Sequence, residues 1–256
     1  MDLKDKVAVI TGGASGLGKA TAQYLIKAGG KVAIFDRKED LANATARELG
    51  AGAAAWTVDV TDEASVQAAI ASVMDAFGAI HINVNCAGIG PAARTLGKTG
   101  PMALDAFKQV VDVNLFGTFN ALRLCAEQMA KNAAVNEDGE RGVIVNTASV
   151  AAFDGQIGQA AYTASKAGVV GMTLPIARDL GRNGIRVCTI APGIFETPMM
   201  LGAPDQLRQT LIDMVQYPKR LGNPSEFALL ALQIVENPYL NGETIRLDGG
   251  IRMQPR

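Results

Sequence analysis

The chain has 256 residues, of which 48% are hydrophobic and 19% charged, with a formal net charge of −1. This profile is typical of a globular protein with a sizeable core, and the scattered Lys and Arg residues disfavour nucleic acid or an anionic membrane as a partner. One histidine and three widely spaced cysteines argue against a metal site and against disulfides, and no apolar run approaches the roughly 18 residues of a membrane helix. We therefore expect a cytoplasmic enzyme or binding domain without bound metal.

The first predicted elements form a phosphate-binding arrangement. Lys6–Thr11 is a short apolar strand, the loop Gly12–Gly18 follows, and a helix is predicted from about Lys19 to Ala28. Glycines let the backbone approach a diphosphate closely, and a helix N-terminus offers free N–H groups and the positive end of its dipole.

Two known glycine patterns do not match this loop. It is not a Gly-x-Gly-x-x-Gly fingerprint in order. Gly13, Gly18 and Lys19 have the spacing of a nucleoside-triphosphatase loop, but Ala20 stands where a magnesium-binding Ser or Thr is needed. A nucleoside-triphosphatase is therefore the weaker alternative.

The second predicted strand, Lys31–Phe35, ends at Asp36, about where a dinucleotide fold places an acid for the adenosine ribose hydroxyls. A carboxylate there would repel a 2′-phosphate, which favours NAD over NADP. Arg37 is the counter-evidence, because an arginine can pair with that phosphate.

The next part of the chain alternates between helices and strands. A helix is predicted over Lys38–Leu49, a strand over Ala53–Val60, a helix over Thr61–Phe77 and a strand over Ile80–Ala87. Asp59 is interpreted either as a cap of the following helix or as a ligand-side residue. His81 begins its strand, far from the ligand-facing end, so we do not expect it in catalysis.

Gly88–Pro101 is a loop longer than a minimal strand-to-helix connection, and its cations Arg94 and Lys98 make it a candidate substrate-side element. A long helical region follows over Leu104–Ala134. Within it, Asn114 has the plain interpretation of a polar residue at a packed helix contact.

The strongest chemical signal is the stretch Ser149–Lys166. A β-branched run, Gly142–Ala148, predicts a buried strand that ends at Ser149, and Ala160–Leu174 has helical composition. Tyr162 and Lys166 lie four apart and so share one helix face. A cation about 4 Å from the phenol, at an effective dielectric of about 20, would lower the Tyr162 pKa by about three units and suit it to acid–base catalysis. A Tyr and a Lys four residues apart also occur by chance, so this pair by itself is weak evidence for a catalytic site.

The remaining elements complete an alternating pattern. Strands are predicted over Ile185–Ile190 and Glu243–Leu247, and a capped helix over Asn223–Asn237. Met199–Gln216 is apolar and adaptable, and it is interpreted either as a substrate lid or as ordinary helix packing. Alternating helices and strands imply one doubly wound parallel α/β sheet.

Several motifs together resemble the short-chain dehydrogenase/reductase family over essentially the whole chain. They are Thr11-Gly12-x-x-x-Gly16-x-Gly18, Asn85-Cys86-Ala87-Gly88, Ser149, and Tyr162-x-x-x-Lys166. The resemblance implies a single Rossmann-type domain over residues 1–256, with a seven-stranded parallel sheet, helices on both faces and a lid around residues 194–218. It also implies a homotetramer.

The resemblance implies a role for each of four residues. Ser149 would bond the substrate oxygen, Tyr162 would act as acid and base, and Lys166 would hold the ribose and lower the Tyr162 pKa. Asn114 would form a local kink that supports a proton relay. This complete set speaks against the other class of function, a non-catalytic dinucleotide-binding sensor or scaffold.

The same resemblance implies NAD as the cofactor, because Ser15 stands where NADP-using members often carry a basic residue. Cys86 replaces the second asparagine usual in the family, and we expect it to contact the cofactor through its backbone. The implied cofactor-binding residues are Gly12, Ser15, Gly16, Leu17, Gly18, Asp36, Asp59, Val60, Cys86, Ala87, Gly88, Tyr162, Lys166, Pro192, Gly193, Phe195 and Thr197.

Runs such as Asn146–Phe153 and Gly171–Leu180 resemble the family members that oxidise 3-hydroxyacyl-CoA, with hydroxysteroids as alternative substrates. The loop at Arg94–Pro101 and the segment after Thr197 differ from that pattern. Glu196 is also hard to reconcile with an anionic CoA nearby. The small-molecule substrate is therefore the least determined expectation.

Overall fold

Residues 1–255 of the computed structural model are described here, without the side chain of Met199. The main sheet has seven parallel strands in the order β3-β2-β1-β4-β7-β8-β9, and β5 and β6 form a separate antiparallel pair. The strands are β1 (Val7–Thr11), β2 (Lys31–Asp36), β3 (Ala53–Thr57), β4 (Ile82–Asn85), β5 (Leu96–Gly97), β6 (Gly100–Pro101), β7 (Gly142–Thr147), β8 (Ile185–Pro192) and β9 (Thr244–Leu247).

The strands form where they do because their side chains are buried on both faces of the sheet. All residues of β1, β4, β7 and β8 are buried. Continuous apolar runs of this kind are typical of central parallel strands that are covered by helices on each side.

Helices cover both faces, as a doubly wound fold requires. Residues of α1, α2 and α9 pack in one core cluster, and residues of α3, α5 and α6 pack in another on the opposite face. The helices are α1 (Gly16–Lys27), α2 (Glu39–Leu49), α3 (Glu63–Phe77), α4 (Leu104–Val111), α5 (Gly117–Met129), α6 (Ala160–Gly181), α7 (Pro198–Leu201), α8 (Asp205–Met214) and α9 (Pro224–Glu236). The predicted fold class is confirmed.

The sheet order reverses direction between β1 and β4, which are hydrogen-bonded neighbours. In open α/β sheets, ligands bind in the crevice at the carboxyl ends of the strands on either side of such a reversal. The loop after β1 and the ends of β4 and β7 all open onto this crevice.

Three predicted boundaries were wrong. The strand predicted to reach Val60 ends at Thr57, because Asp59 turns the chain through its own side chain. The glycine loop is shorter than expected, since α1 already begins at Gly16. The long region predicted as helical is interrupted by a π-helix at Asp112–Phe116 and ends at Met129.

The loop between α5 and β7 is anchored in the fold. Glu140 is 5% exposed, and its carboxylate accepts two hydrogen bonds from Arg186 on β8. Asn132 donates to the carbonyls of Ile80 and Arg141. Over residues 1–255, no helix has the length and apolar character needed to cross a membrane.

Candidate active site

The glycine loop after β1 lies against the backbone at the end of β4. Gly12 has a φ of 64°, and a Cβ on it would come within 2.8 Å of the Ala87 nitrogen. A Cβ on Gly18 would collide with the Gly12 carbonyl oxygen. No larger residue fits at either position, so the loop keeps its backbone close to the crevice.

The N-terminus of α1 faces the same crevice and is suited to an anion. Ser15 is the N-cap residue, but its side chain does not cap the helix. The amides of the first turn, which include Leu17, are then free of a side-chain acceptor at the positive end of the helix dipole. This arrangement fits the diphosphate of a dinucleotide.

Asp36 is held against the glycine loop at the end of β2. One carboxylate oxygen accepts a hydrogen bond from the Ala14 amide at 3.2 Å, and the other accepts from the Lys38 amide at 3.1 Å. The carboxylate is therefore fixed in place beside the loop, whereas the neighbouring Arg37 is exposed. The geometry suits recognition of a ribose next to the diphosphate.

Asp59 does not cap the helix that follows it. Its carboxylate accepts hydrogen bonds from the Thr61 amide at 2.9 Å and from the Thr61 hydroxyl at 2.7 Å. The N-cap of α3 is Asp62, whose side chain accepts from the Ala64 amide. The capping interpretation of Asp59 was wrong because these short polar side chains each close a local turn of their own.

Val60 follows the end of β3, and Cys86 follows the end of β4. The Val60 side chain fills the space beside Gly117, where a Cβ would come within 2.5 Å of it. Cys86 is half-buried, and its sulfur accepts a hydrogen bond from the Thr147 hydroxyl at 3.5 Å. Burial raises the Cys86 pKa to about 11, so the thiol stays protonated at neutral pH.

Ser149 lies just past the carboxyl end of β7, as the sequence predicts. Its hydroxyl oxygen accepts a hydrogen bond from the Ala151 amide at 3.1 Å and thereby caps a 3₁₀ turn over Val150–Ala152. The Ser149 side chain also lies near enough to the Tyr162 phenol to act to lower the pKa of that phenol. The serine proton is therefore available to an oxygen atom on the crevice side.

Tyr162 and Lys166 lie in the first turns of α6, on one face of the helix. The Lys166 ammonium nitrogen is 5.9 Å from the centroid of the Tyr162 ring and donates to the Thr147 carbonyl at 2.8 Å. Lys166 is only 4% exposed. The cation is thus buried between β7 and the tyrosine.

The expected lowering of the Tyr162 pKa is not what the structure shows. Burial raises the pKa of the Tyr162 phenol, and the hydrogen bond with Ser149 opposes that rise only in part. Burial also lowers the pKa of Lys166 to about 8. The expectation treated the pair as two charges in a medium of high effective dielectric, and it omitted the cost of desolvating each group.

Asn114 sits in the π-helix between α4 and α5 and is fully buried. Its side-chain oxygen accepts from the Ile89 amide at 2.8 Å, and its side-chain nitrogen donates to the Ile89 carbonyl at 2.9 Å and to Ser165 at 3.0 Å. Single-turn π-helices of this kind often occur at functional sites. Asn114 ties the chain after β4 to α6.

Gly88 shows how closely these parts converge. A Cβ on Gly88 would lie 3.2 Å from the Asn114 side-chain oxygen and 3.6 Å from the Lys166 ammonium nitrogen. The end of β4, the π-helix and α6 therefore meet at one point, and Asn114, Ser149, Tyr162 and Lys166 are brought together.

The end of β8 closes the other side of the crevice. A Cβ on Gly16 would lie 3.3 Å from the Thr197 methyl group, so Thr197 adjoins the glycine loop. The Gly193 amide donates to the Leu247 carbonyl, which keeps the turn after Pro192 against β9. The side chain of Phe195 is 6% exposed and packs on Gly222, so it is a core residue.

The segment predicted as a lid folds into α7 and α8. Leu211 and Val215 pack against Val150, directly after Ser149, and against Ile194 and Ile251. The segment therefore packs beside the 3₁₀ turn that follows Ser149.

A cavity of about 520 Å³ lies between the substrate-side loop and the start of α6. Arg94, Gly155, Ile157 and Thr163 are among its lining residues, and the Thr163 hydroxyl is buried without a hydrogen-bond partner. Thr163 and residues 153–158 were not among the predicted site residues. Their place within the stretch Ser149–Lys166, on either side of Tyr162 in sequence, was the only signal for them.

His81 lies away from this crevice. Its Nδ1 accepts a hydrogen bond from the Val7 amide at 3.2 Å at the amino end of the sheet, and burial lowers its pKa to about 4. The ring is therefore neutral and structural at neutral pH. No group of three or more His, Cys, Asp or Glu residues that could hold a metal occurs within residues 1–255.

The fold and this crevice define a dehydrogenase-type oxidoreductase, and comparison with known proteins gives its family. The family model of short chain dehydrogenases matches residues 6–207. The chain belongs to the short-chain dehydrogenase family.

Relatives with higher similarity cover the whole chain. A 3-hydroxyacyl-CoA dehydrogenase type-2 from Drosophila melanogaster is 53% identical over 255 residues, which are 99% of this chain and 100% of the relative. The crystal structure of a 3-hydroxyacyl-CoA dehydrogenase type-2 from Mycobacterium avium is 43% identical with a TM-score of 0.93, and covers 98% of this chain and 97% of its own.

A more distant structure carries a cofactor. The 3-ketoacyl-(acyl-carrier-protein) reductase from Brucella melitensis, complexed with NADH, is 30% identical with a TM-score of 0.86 and covers 98% of this chain and all of its own. The family and this neighbour indicate a nicotinamide dinucleotide as the cofactor of the present chain.

Proposed function

We propose that this protein is an NAD-dependent 3-hydroxyacyl-CoA dehydrogenase that interconverts the C3 alcohol and ketone of an acyl thioester. The observation that carries the proposal is the convergence of Ser149, Tyr162 and Lys166 at one end of the sheet, with Asn114 beside them. Support for the substrate class comes from full-length similarity to relatives that are named for this activity.

In this proposal, Ser149 donates a hydrogen bond to the substrate oxygen and Tyr162 takes the hydroxyl proton. A nicotinamide dinucleotide held by this crevice would supply the redox chemistry, as the acceptor of a hydride from the substrate carbon. Lys166 holds the cofactor ribose and supplies a nearby positive charge for the phenolate.

Asn114 has a structural part in the proposed proton exchange. Its side chain is fully engaged with Ile89 and Ser165, so it fixes the geometry of the π-helix rather than moving a proton itself. The Asn114 carbonyl accepts a hydrogen bond from the Thr118 hydroxyl at 2.8 Å, and a carbonyl oxygen has a second lone pair for a water molecule.

NAD rather than NADP is the proposed cofactor. The Asp36 carboxylate is anchored by two backbone amides, so it cannot swing away from a 2′-phosphate. Repulsion between two fixed anions disfavours NADP more strongly than the exposed and mobile Arg37 side chain favours it.

The proposed cofactor site uses the crevice residues already described. It consists of Gly12, Ser15, Gly16, Leu17, Gly18, Asp36, Asp59, Val60, Cys86, Ala87, Gly88, Tyr162, Lys166, Pro192, Gly193, Phe195 and Thr197. Phe195 can contribute only through its backbone, since its side chain is in the core.

The segment from Ile194 to Pro218 is proposed to be the substrate lid. Its exposed apolar residues Leu201 and Leu207 suit an acyl chain. Glu196 is exposed, and the positive charge of Arg220, which is paired with Glu226, lies near enough to offset part of the repulsion between Glu196 and an anionic CoA.

The protein is further proposed to be a homotetramer. Large apolar residues of the π-helix and α5, Phe116 and Phe119, are 59% and 47% exposed, and Leu104 of α4 is 66% exposed. Exposed apolar groups of this kind are often covered by another subunit. Light scattering coupled to gel filtration measures the assembly directly.

The test is NADH production from a panel of 3-hydroxyacyl-CoAs of increasing chain length, with branched members and hydroxysteroids as further arms. The proposal predicts that at least one acyl-CoA has a higher kcat/KM than every hydroxysteroid. A preference for a hydroxysteroid would replace the substrate class and keep the chemistry. NAD binding without turnover of any alcohol would support a dinucleotide-binding sensor instead.

A further inference from the structure

The C-terminal segment, defined as Asp248–Pro255, passes beside the chain that leads into the catalytic helix. We call that chain, Phe153–Gly158, the 153–158 loop. It connects the 3₁₀ turn after Ser149 to α6, and its residues 155–158 line the cavity of about 520 Å³. Its position therefore affects both the Tyr162 helix and the wall of the cavity.

Arg246 of β9 joins the 153–158 loop to the C-terminal segment. One terminal guanidinium nitrogen donates to the Asp154 carboxylate at 2.7 Å and to the Ile251 carbonyl at 3.0 Å. Its Nε donates to the Asp248 carboxylate at 2.8 Å, and its guanidinium carbon lies 5.1 Å from the Phe153 ring centroid. One side chain thus contacts two separate parts of the chain at once.

The end of the C-terminal segment also bonds directly to the 153–158 loop. The Ile157 amide donates to the Pro255 carbonyl at 3.0 Å, and the Gln156 side chain donates to the Gln254 carbonyl at 2.9 Å. On the other side, the Ala93 amide donates to the Gly158 carbonyl at 2.8 Å. The loop is therefore held between the C-terminal segment and the substrate-side loop.

The same segment anchors the end of the proposed lid. The amides of Gln216 and Tyr217 both donate to the Gly249 carbonyl, at 2.9 and 3.1 Å. Gly249 has a φ of 59°, and a Cβ there would come within 2.7 Å of a Val215 methyl group. Ile251 is fully buried against Leu211 and Val215.

We propose that Arg246 is a positioning residue. Together with the C-terminal segment, it holds the 153–158 loop and the lid in fixed positions relative to each other, and it thereby sets the affinity for the substrate. The proposal rests on the function proposed above, because it concerns the substrate side of the same site. Arg246 acts through Asp154 and Ile251 and is not expected to touch the reacting atoms.

The effect is expected on the substrate and much less on the cofactor. The glycine loop is supported by backbone contacts with β2 and β4, which Arg246 does not make. The C-terminal segment supports the cofactor side at Gly193, which packs on the Asp248 backbone. The Asp248 carboxylate also accepts a hydrogen bond from the Gly250 amide at 2.9 Å, so this contact does not depend on the Arg246 side chain alone.

The first measurement is hydrogen–deuterium exchange on the full-length protein, which requires no substrate. In Arg246→Met, peptides covering the 153–158 loop and Val215–Tyr217 are expected to exchange about tenfold faster, while β1 is unchanged. The matched control is Arg252→Met, since Arg252 is exposed and pairs with the same Asp248 carboxylate. The control is expected to exchange like the parent protein.

A second variant tests the proposal if Arg246→Met does not fold. A chain ending at Met253 lacks the Gln254 and Pro255 carbonyls, which accept the two hydrogen bonds from the 153–158 loop, but it keeps Arg246. Only the 153–158 loop is therefore expected to exchange faster. Unchanged exchange of that loop in this variant and in any folded Arg246→Met would overturn the proposal.

The second measurement separates positioning from general stability. With a short 3-hydroxyacyl-CoA, Arg246→Met is expected to raise the substrate KM about tenfold and to leave the NAD KM within about twofold. An equal rise of both KM values would show a merely structural role and overturn the proposal. If the parent protein oxidises no 3-hydroxyacyl-CoA, the proposed function fails, and the exchange experiment still decides whether Arg246 holds the loop and the lid.

Discussion

The two sides of the crevice are built in different ways. The cofactor side consists of the loop after β1 and the ends of β2 and β4, and its contacts are between backbone atoms or between backbone and a fixed carboxylate. The substrate side consists of the loop after β4, the 153–158 loop, the lid and the C-terminal segment. It also has backbone hydrogen bonds, but side-chain ion pairs and apolar packing join its separate segments as well.

This difference explains how much variation each side tolerates. A side chain added at Gly12 or Gly18 has nowhere to go, so the cofactor side accepts few residues. On the substrate side, Arg94 is exposed and lines the cavity, so a change there is expected to alter what the cavity recognises without disturbing the sheet. One scaffold can therefore keep its cofactor while its substrates diverge.

The largest expected effect lies where the two sides meet, at Tyr162. Tyr162→Phe removes the proposed acid–base group, and we expect kcat to fall by about 10³-fold, within the range for such catalysis. The matched control is Tyr239→Phe, because Tyr239 is 97% exposed and distant in sequence. Steady-state rates measure both variants, and retention of a tenth of the activity in Tyr162→Phe would refute its role.

Gly12→Ala tests the rigidity of the cofactor side. The positive φ of Gly12 and the nearby Ala87 nitrogen leave no space for a methyl group, so we expect NAD affinity to fall by about 10²-fold. Gly171→Ala is the control, since a Cβ at this helical glycine meets nothing within 4 Å. Titration of NADH fluorescence gives both affinities. Equal affinity of the two variants for the dinucleotide would contradict the close approach of Gly12 to the Ala87 nitrogen.

Asp36→Ala tests cofactor choice within the same side. Removing the fixed carboxylate is expected to lower kcat/KM for NAD about tenfold. The ratio of kcat/KM for NAD to kcat/KM for NADP is expected to fall by more than about tenfold. Asp40→Ala, in the first turn of α2, is a control for the change in net charge. A parent enzyme that already prefers NADP would show that Arg37, and not Asp36, determines the choice.

The smallest expected effect is on stability and concerns Lys166. Its pKa in the folded protein is about 8, below the usual value of about 10.4. Between about pH 8 and about pH 10.4 the unfolded chain binds more protons at Lys166 than the folded chain does. The contribution of Lys166 to the free energy of unfolding therefore rises with pH, by about 3 kcal/mol over the whole interval. Below pH 8 the buried cation therefore destabilises the folded state.

Lys166→Met is expected to raise the melting temperature by a few degrees at pH 7, after the lost bond to Thr147 is subtracted, and to give no gain near pH 10. Activity is expected to fall at both pH values. Thermal unfolding of the parent and variant across this range measures the difference. A variant that is less stable at pH 7 would show that the lysine stabilises the fold.

Much of the cofactor side could be predicted from the sequence, because it follows from local rules. Glycines after an apolar strand, an acid at the end of the next strand and a serine after β7 are each read from a few neighbouring residues. The parallel sheet then places all three at one edge. The capping box of α9, with Asn223 and Glu226, was predictable for the same reason.

Predictions failed where long-range packing outweighed local pattern. The residue pattern around Asn114 predicts a continuous helix, and only the family resemblance implied a local kink. Asn114 bonds to Ile89 and Ser165 from two other elements, and the helix widens into a π-turn there. The direction of the Tyr162 pKa also depends on burial, which spacing along a helix does not report.

The sequence by itself determined the class of fold, the loop for a dinucleotide and the residues proposed for proton transfer, because strand periodicity, glycine positions and a four-residue helical spacing are local properties. Only the tertiary structure decided how the substrate side is held. The link from Arg246 to Asp154 spans 92 positions of the chain, and the bond from Gln156 to Gln254 spans 98. Contacts over such separations exist only once the sheet has brought distant segments to one edge.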